Sequence, residues 1–226
     1  LRVARRPRIE RIVERLQVQI ELAARLAKLR LPRQSAIIQG DARVAARKGV
    51  VLHHFEDKSA LLEAVFRRSN SVLSMSLVEL LRHTKTPYER LWAIAHANFS
   101  EPIYNKEVCQ AWVSLLAEVP HNKNCQRVQL INNARIKSNF TNELKHFMRK
   151  DRAIDVAKIL GVLIDGIWVR AGLFSAVPNC EVALDEFEIT LLQFIGPSLE
   201  EREQHRVARE KIRAVAEIAL SSKLFN

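Results

Sequence analysis

Six glycines in 226 residues leave this chain few places to turn tightly. A β-sandwich or barrel needs a turn signal roughly every 8–12 residues, and nothing here supplies that density. Hydrophobic residues make up 48% of the chain. They recur at three- and four-residue steps, the spacing of one helix face. The chain therefore reads as all-α. Ile9, Ile12, Val13, Leu16, Ile20 and Ala23 mark a first helix that Pro32 stops. Ser35 can cap a short second helix, and residues 45–53 make a third. Longer helices are predicted over 57–82, from Thr86-Pro87, from Asn105 or Lys106 to Pro120, over 122–148, over about 151–175 and over 181–195. Gly196-Pro197 is expected to close the fold. The tail, 200–226, alternates charges and can be helical, but its apolar residues are too sparse to assign a docking face.

The charge of +11 is concentrated at one end. Residues 1–50 hold 13 Lys and Arg against 4 Asp and Glu, residues 51–199 hold 17 against 16, and residues 200–226 hold 6 against 5. A basic head on a nearly neutral body reads as a polyanion-binding module, the alternative being a solvated arm with no partner. The expected layout is a helix-turn-helix head over 1–56, a helical ligand-binding and dimerisation body over 57–199, and a charged tail over 200–226. Three scattered cysteines form neither a disulfide framework nor a zinc pattern, which fits a reducing cytoplasm. No apolar run reaches the roughly 18 residues of a membrane span, so no membrane contact is expected.

The stretch "GVVLHHFEDKSALLEAVF", residues 49–66, is the most specific local signal. Its adjacent histidines point about 100° apart on a helix and have no partner one turn away, which disfavours a metal site. No Gly-rich phosphate loop or nucleophile–base pair suggests an enzyme or a cofactor. Three short helices ending near Phe55 instead have the layout of a helix-turn-helix. Arg43, Arg47, Lys48 and His53 are candidate DNA contacts. Lys58, in the first turn of the following helix, is placed to pair with a phosphate held by that helix N-terminus.

"HHFEDKSALL" followed by a helical body resembles the tetracycline-repressor (TetR) family of one-component regulators. "HANFSEP", "VCQAWVSLLAEVPHNKNCQRVQLINNARIKSNFTNELK" and "LGVLIDGIWVRAGL" are similar to its BetI type, the choline-responsive repressors of glycine betaine synthesis. The resemblance covers about residues 47–195. It implies a homodimer that binds a palindromic double-stranded DNA operator and changes grip when a small molecule enters the body. A helical enzyme or generic interaction protein is the alternative. The family's Ala-Gly-Val turn is replaced here by Val44, Ala45 and Ala46, and residues 10–46 match the family in length but hardly in sequence.

The resemblance implies a choline-like cation as effector, and aromatic faces hold such cations well. The candidates are Trp92, Phe99, Tyr104, Trp112 and Trp168, with Glu118 and Asp165 as anions. Leu115 and Leu116 stand where the BetI type tends to carry further aromatics. The helices over 151–175 and 181–195 are apolar on more than one side, which suits either packing against a second copy or burial in the monomer. For the dimer interface, Leu160, Leu163, Ile164, Ile167, Phe187 and Leu191 are the expected residues.

Overall fold

The computed structural model describes residues 58–100, 103–174 and 177–220. They form seven α-helices with no strand among the described residues: α1 (Lys58–Leu81), α2 (Pro87–Phe99), α3 (Lys106–Glu118), α4 (Lys123–Leu144), α5 (Lys150–Leu173), α6 (Cys180–Ile195) and α7 (Leu199–Ala219). The all-α expectation therefore holds for the body. Arg43, Arg47, Lys48 and His53 lie outside the described residues, as does the side chain of Lys58, whose backbone opens α1.

Most helix starts follow from side chains that satisfy free backbone N–H groups. Thr86 accepts from the N–H of Glu89 at 3.2 Å, with Pro87 in the first turn where a missing N–H does no harm. Asn105 accepts from Val108 at 3.0 Å, Asn122 from Asn124 and Cys125, and Asn179 from Val182. Each such cap is worth about 1 kcal/mol. Pro120 does end α3, through a 3₁₀ turn over Val119–His121. Helix α4 stops at Leu144, short of the predicted Met148. Phe147 is still satisfied, because its ring packs on Tyr88 at 4.6 Å from the turn beyond the helix.

Helix α2 lies at the centre. Every residue from Leu91 to Ser100 is buried, because α1, α4, α6 and α7 surround it. Helix α5 packs chiefly on α3 and α4. Where it crosses α3 the backbones nearly touch. A Cβ at Gly172 would collide with the Cys109 carbonyl oxygen and come within 2.7 Å of Val113 Cγ2. Ile131 is exposed on α4.

Two expectations are corrected. Gly196-Pro197 does not close the fold. Gly196 takes the left-handed conformation (φ 59°) that glycine adopts without strain, and its N–H bonds Leu192 O at 2.9 Å. Ser198 and Glu201 then form a capping box, and α7 runs back along α2. Its buried residues are His205, Ala208, Ile212, Ala216 and Ala219, of which only Ile212 is a large apolar side chain, so the face is hard to read among the surrounding charges.

The second correction concerns the residues expected at a dimer interface. Leu160, Ile164, Ile167, Phe187 and Leu191 are at most 3% exposed within a single chain, and Leu163 is half-buried against the same core. They hold α5 and α6 to the body. The outward face of these helices carries Ile159, Val162, Gly166 and Leu173 on α5, and Val182 and Ile189 on α6. The sequence spacing could not tell the two sides apart, because both are apolar.

Candidate functional site

Five buried aromatic rings form one continuous run through the body. Phe66 of α1 meets Trp112 of α3 at 5.1 Å between centroids, and Trp112 meets Trp168 of α5 at 5.8 Å. Trp168 meets Tyr104 at 5.6 Å, and Tyr104 meets Phe99 at the end of α2 at 5.4 Å. All four contacts are tilted or edge-to-face, the arrangements that set a ring's positive edge against its neighbour's negative face. The Gly172–Cys109 crossing lies one turn beyond Trp168 and three residues before Trp112. That close approach fixes how far apart the two indoles sit.

The run's polar groups are few. Burial pushes the Tyr104 hydroxyl up to about 12, with Cys109 and Cys180 adding to the effect. The Cys109 thiol is raised to about 12, again mainly by burial. Asp165 stands one helical turn before Trp168 on α5 and makes no ion pair among the described residues. Burial alone raises its carboxyl from 3.8 to about 6. A carboxylate kept short of water and of cations, on the same helix face as an indole, is disposed to accept a positive charge.

Of the sequence candidates, Phe99, Tyr104 and Trp112 come together in this run, joined by Trp168. Phe66 was not among them; its only sequence signal was an inward position on α1. Trp92 belongs elsewhere. Its ring faces away from the run, against Phe187 at 6.2 Å and His205 at 5.1 Å, and the Arg209 guanidinium lies 5.1 Å from its centroid. Its cation–π partner is thus the chain's own arginine. Glu118 is also apart. It sits at the far end of α3, where its charge, after burial and Glu63, helps raise the Cys125 thiol. Residue type alone marked both as cage candidates, and only packing separates them from the run.

The second cluster is built between α2, α6 and α7. Glu188 accepts from Arg209, while its other oxygen lies 2.9 Å from His205 Nε2. Its carboxyl is held below the usual range, first by that His205 contact and then, against the opposing effect of burial, by Arg209. Burial lowers the His96 imidazole to about 4, with Arg209 and Arg213 acting in the same direction, so His96 is neutral at physiological pH. Among the described residues no group of His, Cys, Asp and Glu is arranged to hold a metal ion. No helix there is long and apolar enough to cross a membrane.

Residues 87–195 match the family described as "BetI-type transcriptional repressor, C-terminal". The HTH-type transcriptional regulator BetI of Pectobacterium atrosepticum is 36% identical over 152 residues, 66% of this chain and 78% of that protein. BetI of Yersinia pestis (strain Pestoides F) is 32% identical over 153 residues, 67% of this chain and 77% of that protein. A crystal structure from Pseudomonas aeruginosa PAO1 superposes with a TM-score of 0.58 at 19% identity, covering 81% of this chain and 91% of its own. One of a transcriptional regulator from Rhodococcus sp. Rha1 gives 0.53 at 19% identity, with 81% and 94% covered.

Proposed function

The chain belongs to the BetI-type transcriptional regulators of the TetR family, and from that premise we propose that it is a homodimeric repressor released from its DNA operator by a small organic cation. Membership of a regulator family removes the enzyme reading. The observation that carries the effector is the buried run Phe66–Trp112–Trp168–Tyr104–Phe99, with Asp165 three residues before Trp168 on α5 and without an ion pair among the described residues. Aromatic faces and a desolvated carboxylate are what a quaternary ammonium such as choline requires. Asp165 takes the anionic role that the sequence spacing divided between it and Glu118.

The rings touch one another, so a cation has to part them. A cation over a ring sits within about 6 Å of its centroid, and two neighbours whose centroids are only 5.1–5.8 Å apart cannot both face it. Insertion at Trp112 therefore displaces Phe66. Phe66 lies two turns from Lys58 on α1, the helix that leads out of the proposed head. A helix of 24 residues is a rigid lever about 36 Å long. A small rotation at Phe66 changes the separation of the two heads, and two operator half-sites tolerate only one separation. Binding energy reaches the DNA only to the extent that the cation favours the parted arrangement over the packed one.

In the head, Arg43, Arg47, Lys48 and His53 are proposed to enter the major groove, and Lys58 to hold a phosphate. The outward face of α5 and α6, with Val162 and Ile189 at its centre, is proposed to join the two protomers, since so large an exposed apolar face calls for cover. The test is calorimetry and gel shift on one preparation. Choline is expected to bind and release a palindromic duplex from the chain's own upstream DNA, while its uncharged tert-butyl isostere does neither. Trp112→Ala is expected to keep duplex binding and lose choline binding. Equal binding of the isostere, or intact choline binding in the variant, overturns the assignment of this site.

A further inference from the structure

Trp92 carries a cation already, and the residue that supplies it is on a helix outside the family match. Residues 87–195 match the BetI-type family, whereas Arg209 lies in α7, Leu199–Ala219. Its guanidinium stacks 5.1 Å from the Trp92 ring centroid. It also reaches three carboxylates of α6: Glu188 through Nη1, and Asp185 at 2.5 Å and Glu181 at 3.4 Å through Nη2. Residues 181, 185 and 188 recur at helical spacing, so one face of α6 presents all three acids. Trp92 is fully buried, and the Arg209 side chain is 19% exposed.

The chemistry of this arrangement is selective. A guanidinium is planar, so it can lie flat on an indole while its edge N–H groups point at carboxylates. An ammonium has no plane to stack and cannot make both contacts with the same geometry. Two buried nitrogens beside it, Trp92 Nε1 and His205 Nδ1, have no hydrogen-bond partner among the described residues. The other polar ties of α7 to α6 and α2 are single pairs, His205 Nε2 with Glu188 at 2.9 Å and Lys211 Nζ with Glu89 at 2.8 Å. Most other buried residues of α7 are alanines, which contribute little area. Arg209, with three carboxylates and a ring, is the most heavily connected of these fasteners, and because its partners lie on α2 and α6, it also fixes those two helices to each other.

We propose that Trp92, Asp185 and Glu188 form a guanidinium seat, separate from the aromatic run, which the chain fills with its own Arg209 so that α7 acts as a tethered internal ligand locking α6 to α2. Emptied of Arg209, the seat takes a free guanidinium-type cation in its place. Neither statement depends on operator or effector binding.

The experiment is a chemical rescue of the full chain. Arg209→Ala is expected to lower the melting temperature by about 5 °C or more, the scale expected for losing charge-assisted hydrogen bonds in a chain of this size. N-ethylguanidinium at millimolar concentration, far below denaturing levels, is expected to raise the melting temperature of Arg209→Ala towards that of the parent. It should leave the parent unchanged, and ethylammonium should rescue much less. The double variant Arg209→Ala/Glu188→Gln should lose the rescue. If Arg209→Ala does not fold, Arg209→Gln, which keeps a planar polar group of similar reach, is titrated in the same way. An unchanged melting temperature in the single variant, no rescue, or equal rescue by ethylammonium or in the double variant overturns the proposal.

Discussion

Asp165 should make the protein less stable at pH 8 than it would be with a neutral side chain at that position. Its carboxyl titrates at 3.8 when unperturbed and at about 6 in the fold, with burial as the cause. The folded state therefore holds the proton more tightly than the unfolded chain does. Well below 3.8, near pH 3, the group is neutral in both states and burial costs nothing; as pH rises through 3.8 and on through 6 the shielded carboxyl becomes a cost to the folded state, and that stability is lost. A shift of about two units corresponds to roughly 3 kcal/mol, and partial exposure of the group reduces this to roughly 1–3 kcal/mol. Asp165→Asn, nearly identical in shape and neutral throughout, should recover that amount. At about 2–4 °C per kcal/mol for a chain of this length, its melting temperature should exceed the parent's by roughly 3–10 °C at pH 8. Near pH 3, below the unfolded pKa, the difference should vanish. Melting curves at both pH values decide the matter, and choline titration of the same variant should show weakened binding. A variant no more stable than the parent at pH 8, or one equally stabilised at both pH values, would refute the reasoning.

Two predictions concern packing. Val162→Glu places a charge on the outward face of α5 without touching the core, so it should convert a dimer to a folded monomer by light scattering; Ile167→Glu, buried in the chain's own core, should instead abolish folding. Gly172→Ala forces a methyl group into the Cys109 carbonyl and should destabilise the chain by about 1–3 kcal/mol in denaturant titration, the usual penalty of overpacking; unaltered stability would show that α3 and α5 can separate freely there.

How much of this was legible depended on what kind of signal each feature leaves. The start of α2 was readable because Thr86 and Pro87 announce a helix by side-chain chemistry that no distant residue alters. The end of α4 was not, because Phe147 continues the helical spacing while packing on Tyr88 from a turn. Helix α7 left only a faint apolar signal, since it docks through His205, three alanines and a single large apolar residue, Ile212. The aromatic run was half legible. Tyr104 and Trp112 could be named by type, but Trp92 is the same type with a different neighbour, and only the fold shows that Arg209 covers its ring. For α5 and α6, two apolar sides give spacing nothing to discriminate, so only the fold shows that Leu160 and Ile167 are core.

The left-handed Gly196 also determines what length of chain can stand as an independent folding unit. A fragment ending at residue 195, where the family match stops, would keep α1 to α6 but strip the cover from Tyr88, Trp92 and His96 on the central helix. Those side chains are now at most 5% exposed. Laid bare, Tyr88 and Trp92 would form an adhesive aromatic strip. Preparations trimmed to the homologous segment should therefore clump or require a solubilising partner, whereas those running to residue 220 should stay dispersed.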